Sequence, residues 1–139
     1  MQRVRICYPA IFHPEEDGGY SVTIPDMEQI NCGCSTQGET LEDASDMAFE
    51  AIGLVLEGVK PENFPVPSKA EDLEREPCDL VVPIIYDSYK YLQTVSTKSI
   101  HKSITIPEWL NTLAVENHIN FSKVLQSALA NQLGVSLKN

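Results

Sequence analysis

Lys98-Ser99-Ile100-His101-Lys102-Ser103-Ile104-Thr105-Ile106-Pro107 is the stretch on which the reading of the chain turns. Ile100, Ile104 and Ile106 share one parity, and Ser99, His101, Ser103 and Thr105 share the other. This two-residue period is that of a strand with apolar side chains turned inward and small polar ones outward. Lys102 has the inward parity, and its stem can run along the strand edge with the ammonium on a phosphate. A lone strand leaves its N–H and C=O groups unpaired. The pattern therefore predicts pairing with the same strand of a second copy, as a two-stranded antiparallel ribbon. A ribbon of that kind fits the major groove of DNA.

Two helical patterns follow. Pro107 is tolerated in a first helical turn, and Leu110, Leu113, Ala114 and Asn117 then recur at the spacing of one buried face, with the helix expected to end near His118. Asn120 is a candidate N-cap for a second helix, in which Val124, Leu125, Ala128, Leu129 and Leu133 form an apolar stripe that Gly134 stops. Helices this short hide little surface alone, so the dimer is expected to be a condition of folding for the segment. Ile104-Thr105-Ile106-Pro107-Glu108, with Asn120-Phe121-Ser122-Lys123 heading the next helix, resembles a ribbon-helix-helix domain over about residues 98–135 of the unit 98–139. The resemblance implies DNA contact by His101, Ser103 and Thr105 on the ribbon, to which Lys102 adds charge without sequence information. It also implies a phosphate held at the second helix's N-terminus by Phe121, Ser122 and Lys123, where free donors and a positive dipole end face outward. No Arg or Gln stands among the outward strand residues, so base discrimination should be modest and lean on repeated half-sites. A strand and helical hairpin used purely for dimerisation is the plainer alternative.

Charge divides the chain at the same place. Residues 1–97 hold 6 Lys plus Arg against 18 Asp plus Glu, a net of −12, whereas residues 98–139 hold 4 against 2, a net of +2. An acidic module repels phosphate backbones and attracts basic proteins, while only the tail can approach DNA without heavy electrostatic cost.

In the first module Val4, Ile6, Tyr8, Ala10 and Phe12 alternate with Arg3, Arg5, Cys7, Pro9 and Ile11. Glu15-Glu16-Asp17-Gly18-Gly19 supplies a turn, and Tyr20, Val22 and Ile24 alternate again, which predicts a β-hairpin closed by Pro25-Asp26. A third strand is expected over residues 29–34, with Thr36-Gln37-Gly38-Glu39 turning the chain. Thr40 with Asp43 makes an approximate capping box for a helix whose apolar face is Leu41, Ala44, Met47, Ala48, Ala51, Val55 and Leu56, ended by Gly58. Pro61, Pro65 and Pro67 force an extended return. Leu80-Val81-Val82-Pro83-Ile84-Ile85-Tyr86 is expected as a final strand, with Pro83 marking an edge or a bulge.

Gly19-Tyr20-Ser21-Val22-Thr23-Ile24-Pro25-Asp26, then Gly38-Glu39-Thr40-Leu41-Glu42-Asp43-Ala44, then Pro65-Val66-Pro67-Ser68 resemble the N-terminal domain of HicB-type antitoxins. Together with the tail, these motifs cover most of the chain. The resemblance implies an α+β protein. A partial RNase H-like domain (β-β-β-α-β) over residues 1–86 would lead through a linker at 87–97 to a ribbon-helix-helix (β-α-α) dimerisation domain. It implies an antitoxin that masks a HicA-type RNA-cleaving toxin and represses its own operon, as a homodimer or a higher even-numbered oligomer. Opposite charge speeds capture of such a toxin, and Glu15, Glu16, Asp17, Asp26 and Glu28 are the expected contacts.

Other classes find less support. Metal-dependent phosphodiester cleavage needs carboxylates converging from rigid strands, and the first strand has none. No Gly-rich phosphate loop or aromatic cage favours the alternative of a repressor whose first domain senses a small effector. An acidic scaffold without DNA contact is the third reading. Cys7, Cys32, Cys34 and Cys78 show no zinc-ligand spacing with one another or with His13, His101 or His118, so reduced, mostly buried thiols and no metal or cofactor are expected. Without an apolar leader or a run long enough to span a membrane, the chain is expected in the cytoplasm.

Overall fold

The computed structural model describes residues 2–30 and 33–137. It divides into two compact units, Met1–Thr97 and Lys98–Asn139. Among the described residues no helix is long and apolar enough to cross a membrane.

The first unit is a four-stranded sheet with helices. β1 (Arg5–Pro14) and β2 (Tyr20–Thr23) form the predicted hairpin, β3 (Ser35–Gly38) follows, α1 (Leu41–Leu56) crosses, and β4 (Leu80–Asp87) returns before α2 (Ser88–Val95). The strand order is β3-β2-β1-β4, with every neighbouring pair antiparallel. Even-numbered side chains of β1 face the core: Tyr8, Ala10 and Phe12 are fully buried, together with Val22, Ile24, Met27 and Ile52.

Prolines sit opposite one another where β1 meets β4, at Pro9 and Pro83. Neither has a donor to exchange, so this must be a non-hydrogen-bonded pair whose nitrogens point away from each other. Pro9 then points past the end of β2, which pairs with β1 only from Ile11 onward, and Pro83 points off the outer side of β4, an edge strand. The missing donors cost the sheet nothing.

Three expectations for this unit change. Among the described residues of 29–34 none is in a strand: a 3-10 turn (Pro25–Gln29) begins at the proline, and β3 (Ser35–Gly38) takes in Thr36, Gln37 and Gly38, three of the four residues expected to turn the chain. Asn31 and Cys32 lie outside the described residues. Pairing with Val22 and its neighbours holds Ser35, Thr36, Gln37 and Gly38, weak strand formers as a group, in place, which is tertiary context overriding propensity. The buried arc of α1 is Ala44, Ala48, Phe49, Ile52, Gly53 and Leu56, whereas Leu41 and Met47 are exposed. The expected cap is present, with Thr40 Oγ1 accepting from the Asp43 N–H at 3.0 Å.

The stretch expected as a linker, 87–97, is largely the helix α2. Asp87 caps it by accepting from the Tyr89 N–H at 3.1 Å. Tyr91 is buried against Phe49 and Tyr86, with ring centroids 6.2 and 6.1 Å away. Gly53 makes room for this ring, since a Cβ at that position would strike the Tyr91 side chain.

The second unit is a helical hairpin, α3 (Glu108–Glu116) and α4 (Phe121–Leu133), with Pro107 at the N-cap instead of in the first turn. Residues 98–106 join no ladder. A strand needs a neighbour, and this unit contains only one such segment. α3 ends in a Schellman motif, the Ile119 N–H bonding to Ala114 O at 3.0 Å and the His118 N–H to Val115 O at 3.1 Å. His118 takes the left-handed position, at φ 54°. Gly134 ends α4 with φ 67°. Of the large apolar residues of the two helices none is buried; the small Ala130 is.

Candidate functional site

Three features concentrate chemistry, two in the first unit and one in the second. The hairpin turn of β1 and β2 carries Glu15, Glu16 and Asp17, all exposed. Glu15 is oriented by the Ser21 hydroxyl, which donates to its Oε1 at 2.5 Å. Glu15 and Asp17 border a shallow hollow of about 520 Å³ floored by Gly18, Gly19 and Gly38, with Glu39 on its other rim. Sequence reasoning missed Glu39 because only the β2–β3 pairing brings it beside the turn. Three carboxylates on one concave rim form an electronegative surface with no lysine or arginine in its lining.

Asp26 does not belong to that surface. It is 2% exposed and accepts from the Ser68 N–H at 3.0 Å and the Ser68 hydroxyl at 2.5 Å, which ties the Pro65–Ser68 return to the end of the hairpin. Beside it the Tyr8 hydroxyl donates to Pro65 O at 2.8 Å, and burial, with the Asp26 charge behind it, pushes the phenol up to about 12. Asp26 is therefore a structural residue and not a surface contact. Glu28, on the 3-10 turn, is exposed as a contact requires.

The second feature lies where β1 ends beside the turn leading into β4. His13 Nδ1 is 2.5 Å from Asp79 Oδ1 and 3.8 Å from Glu76 Oε2, and the Cys78 thiol sulfur is 3.9 Å from the same nitrogen. The hydrogen bond to Asp79 raises the imidazole's basicity, and the same bond holds the Asp79 carboxyl below its ordinary range. No Cys/His spacing in the sequence indicates this cluster, because the sheet register brings together residues 65 apart. Of the described cysteines only Cys34 is buried, contrary to the expectation of mostly buried thiols; Cys7 and Cys78 are exposed.

The third feature is the start of the second unit. His101, Lys102, Ser103 and Thr105 are exposed on the segment before α3, while Phe121, Ser122 and Lys123 form the exposed first turn of α4. Asn120 Oδ1 accepts from the Lys123 N–H at 3.1 Å. The Phe121 and Ser122 N–H groups come before Val124, whose N–H bonding to Asn120 O is the first intrahelical bond, and so have no intrahelical partner. They are the donors an anion would meet at the positive end of α4.

An apolar cavity of about 270 Å³ separates α2 from the end of α1, lined by Val4, Leu56, Phe64, Tyr86, Tyr91 and Leu92 among others. The Tyr91 hydroxyl is buried without a hydrogen-bond partner among the described residues.

Comparison with known proteins places these features in a family. The model of the HicB-like antitoxin of bacterial toxin-antitoxin systems matches residues 8–130. The UPF0150 protein ssr1765 of Synechocystis sp. is 37% identical over 75 residues, which are 54% of this chain and 87% of that protein. Antitoxin HicB 1 of Photorhabdus laumondii is 37% identical over 60 residues, 43% of this chain and 36% of that longer protein. Among solved structures, a toxin-antitoxin complex from Streptococcus pneumoniae contains a chain with a TM-score of 0.50 and 26% identity, covering 93% of this chain and 99% of that one. With the family model spanning both units, the chain belongs to the HicB-like antitoxins of bacterial toxin-antitoxin systems.

Proposed function

We propose that this antitoxin is a non-enzymatic two-part regulator. Its first unit masks a basic, HicA-type RNA-cleaving toxin, and its second unit pairs with a second copy as a ribbon-helix-helix to bind the operator of its own operon. The observation that carries the second half is the uncovered apolar surface of residues 98–137. Ile100 is 84% exposed, and Ile104, Leu113, Val124, Leu129 and Leu133 are each more than half or half exposed. A soluble unit with its apolar residues outward is half of a core, and an identical copy with its own strand of alternating parity supplies the other half. In that arrangement Ser103 and Thr105 meet base edges, His101 lies beside them, Lys102 and Lys123 meet phosphates, and the Phe121 and Ser122 N–H groups hold one phosphate each side.

For the first half, the electronegative rim of Glu15, Asp17 and Glu39, together with the exposed Glu16 of the same turn and Glu28 of the 3-10 turn, is the complement of a surface built to hold RNA. Occupying that surface excludes the toxin's substrate without any further device. The toxin partner named for the Streptococcus pneumoniae structure supports the same reading.

The test is co-expression with the protein encoded beside this chain. That protein is expected to arrest growth alone and to be neutralised by the full chain, and charge reversal at Glu15, Asp17 and Glu39 together should weaken neutralisation. Operator binding should fall when Ser103 and Thr105 are both replaced by alanine, by more than binding to random DNA falls. Neutralisation untouched by the triple reversal would remove the acidic rim from the interface. Equal losses on both DNAs would remove the base-reading role.

A further inference from the structure

We infer that His13, Glu76, Cys78 and Asp79 form a binding site for a divalent transition-metal cation of the zinc class, which clasps the end of β1 to the turn before β4. Each offers one donor atom, and the four atoms lie within 4.8 Å of one another. A tetrahedron with zinc-like bonds of about 2.0–2.3 Å has edges of roughly 3.3–3.8 Å. Four of the six edges are close to that already: 3.8 Å from His13 Nδ1 to Glu76 Oε2, 3.9 Å from that nitrogen to Cys78 Sγ, and 3.8 and 4.0 Å from the sulfur to Asp79 Oδ1 and Glu76 Oε2. The His13–Asp79 edge, at 2.5 Å, is a direct hydrogen bond. An ion would replace it, opening the pair by about 1 Å and binding both atoms at once.

The backbone holds the donors in register. Phe12 pairs with Leu80, so His13 and Asp79 stand opposite one another one step beyond the ladder. Residues 76–79 form a tight turn, with the Asp79 N–H bonding to Glu76 O at 3.0 Å. Pro77 at its second position presets the turn's backbone angle. Asp79 Oδ2 accepts from the Glu76 N–H at 3.0 Å, which leaves Oδ1 aimed at His13. That is the outer-sphere support a ligating carboxylate requires.

The charge balance points the same way. Two carboxylates and a thiol surround one imidazole, and the Asp79 side chain is only 8% exposed. Among the described residues no lysine or arginine forms an ion pair with Glu76 or Asp79; Arg75 turns its guanidinium to the Ala70 and Leu73 carbonyls. A dication fills that deficit. One nitrogen and one sulfur among the donors select a borderline-soft ion such as Zn²⁺ over Mg²⁺ or Ca²⁺, which take oxygen. On binding, the Cys78 thiol proton leaves to solvent, the proton between His13 Nδ1 and Asp79 leaves or moves to Nε2, and the thiolate, the neutral imidazole's Nδ1 and the carboxylates become the ligands.

The test uses the full chain after chelator treatment, titrated with Co²⁺ as a spectroscopic stand-in and with Zn²⁺ in competition. The expected result is one ion per chain, a thiolate-to-cobalt charge-transfer band with strong tetrahedral visible bands, and their loss on adding Zn²⁺. Cys78→Ser should abolish the charge-transfer band and His13→Ala the tetrahedral bands, whereas Cys7→Ser should change neither. Cys7 and Cys78 are exposed and His13 is half-buried, and circular dichroism checks the fold of all three variants. Zn²⁺ should also raise the melting temperature of the wild type and not that of Cys78→Ser. A band that survives Cys78→Ser, or a cobalt spectrum without any thiolate band, overturns the site. Antitoxin activity enters none of these readouts, so the inference fails or stands apart from the proposed function.

Discussion

His118 is the one described non-glycine residue with a positive φ, and it sits where helices most often place glycine. The Schellman bonds at the end of α3 impose this conformation, at a cost that glycine would avoid. His118→Gly is therefore expected to stabilise the hairpin by about 0.5–1 kcal/mol, the relief of left-handed strain exceeding glycine's extra unfolded-chain entropy. Chemical denaturation of the full chain reads the gain. Asp87 offers a second residue-scale test. It receives the Arg3 guanidinium at 2.6 Å and caps α2, and the Arg3 hydrogen bond holds its carboxyl below the ordinary 3.8. A depressed folded value means that the contribution is present above the unfolded value and disappears as pH falls through the folded one. Asp87→Asn should accordingly melt at a lower temperature than the wild type near neutral pH. Melting curves in acid should show the two converge below about pH 3.8.

Elements differed in how much of them the residues announced, and the difference has physical causes. The hairpin was legible because Glu15 to Gly19 is turn chemistry between two alternating runs. Asn120 and Thr40 were legible as caps because their side chains bond the backbone three residues on, a purely local act. β3 was not, since Ser35 to Gly38 is a strand only by virtue of β2. α2 was not either: eight residues of low apolar content are held as a helix by one buried tyrosine in the space left by Gly53. Tyr91→Ala should then cost about 3 kcal/mol, the range for emptying an aromatic site, and should fray α2. Hydrogen exchange at residues 88–95 would register that loss, and unchanged protection would mean that Asp87 and the strand end suffice. Nor could spacing place Asp26 inside and Glu39 outside, or join His13 to Cys78; those are consequences of register, known only once the strands are paired.

At the scale of the molecule, the two units face opposite problems. The first has a closed core of aromatic and aliphatic side chains. The second has its apolar residues on the outside, so its stability should rise with protein concentration as that of an obligate dimer does. Ile104→Asp in the full chain is expected to shift sedimentation from dimer to monomer and to leave the melting of the first unit unchanged. A dimer that persists would place the interface elsewhere. The opposed prolines bear on the same question from the other side. Pro83 removes the outward donor from the middle of β4, so any foreign strand that docks along that border meets a gap in its ladder halfway. Amyloid-like stacking through the sheet is thereby discouraged, which agrees with the proposal that copies pair through the tail.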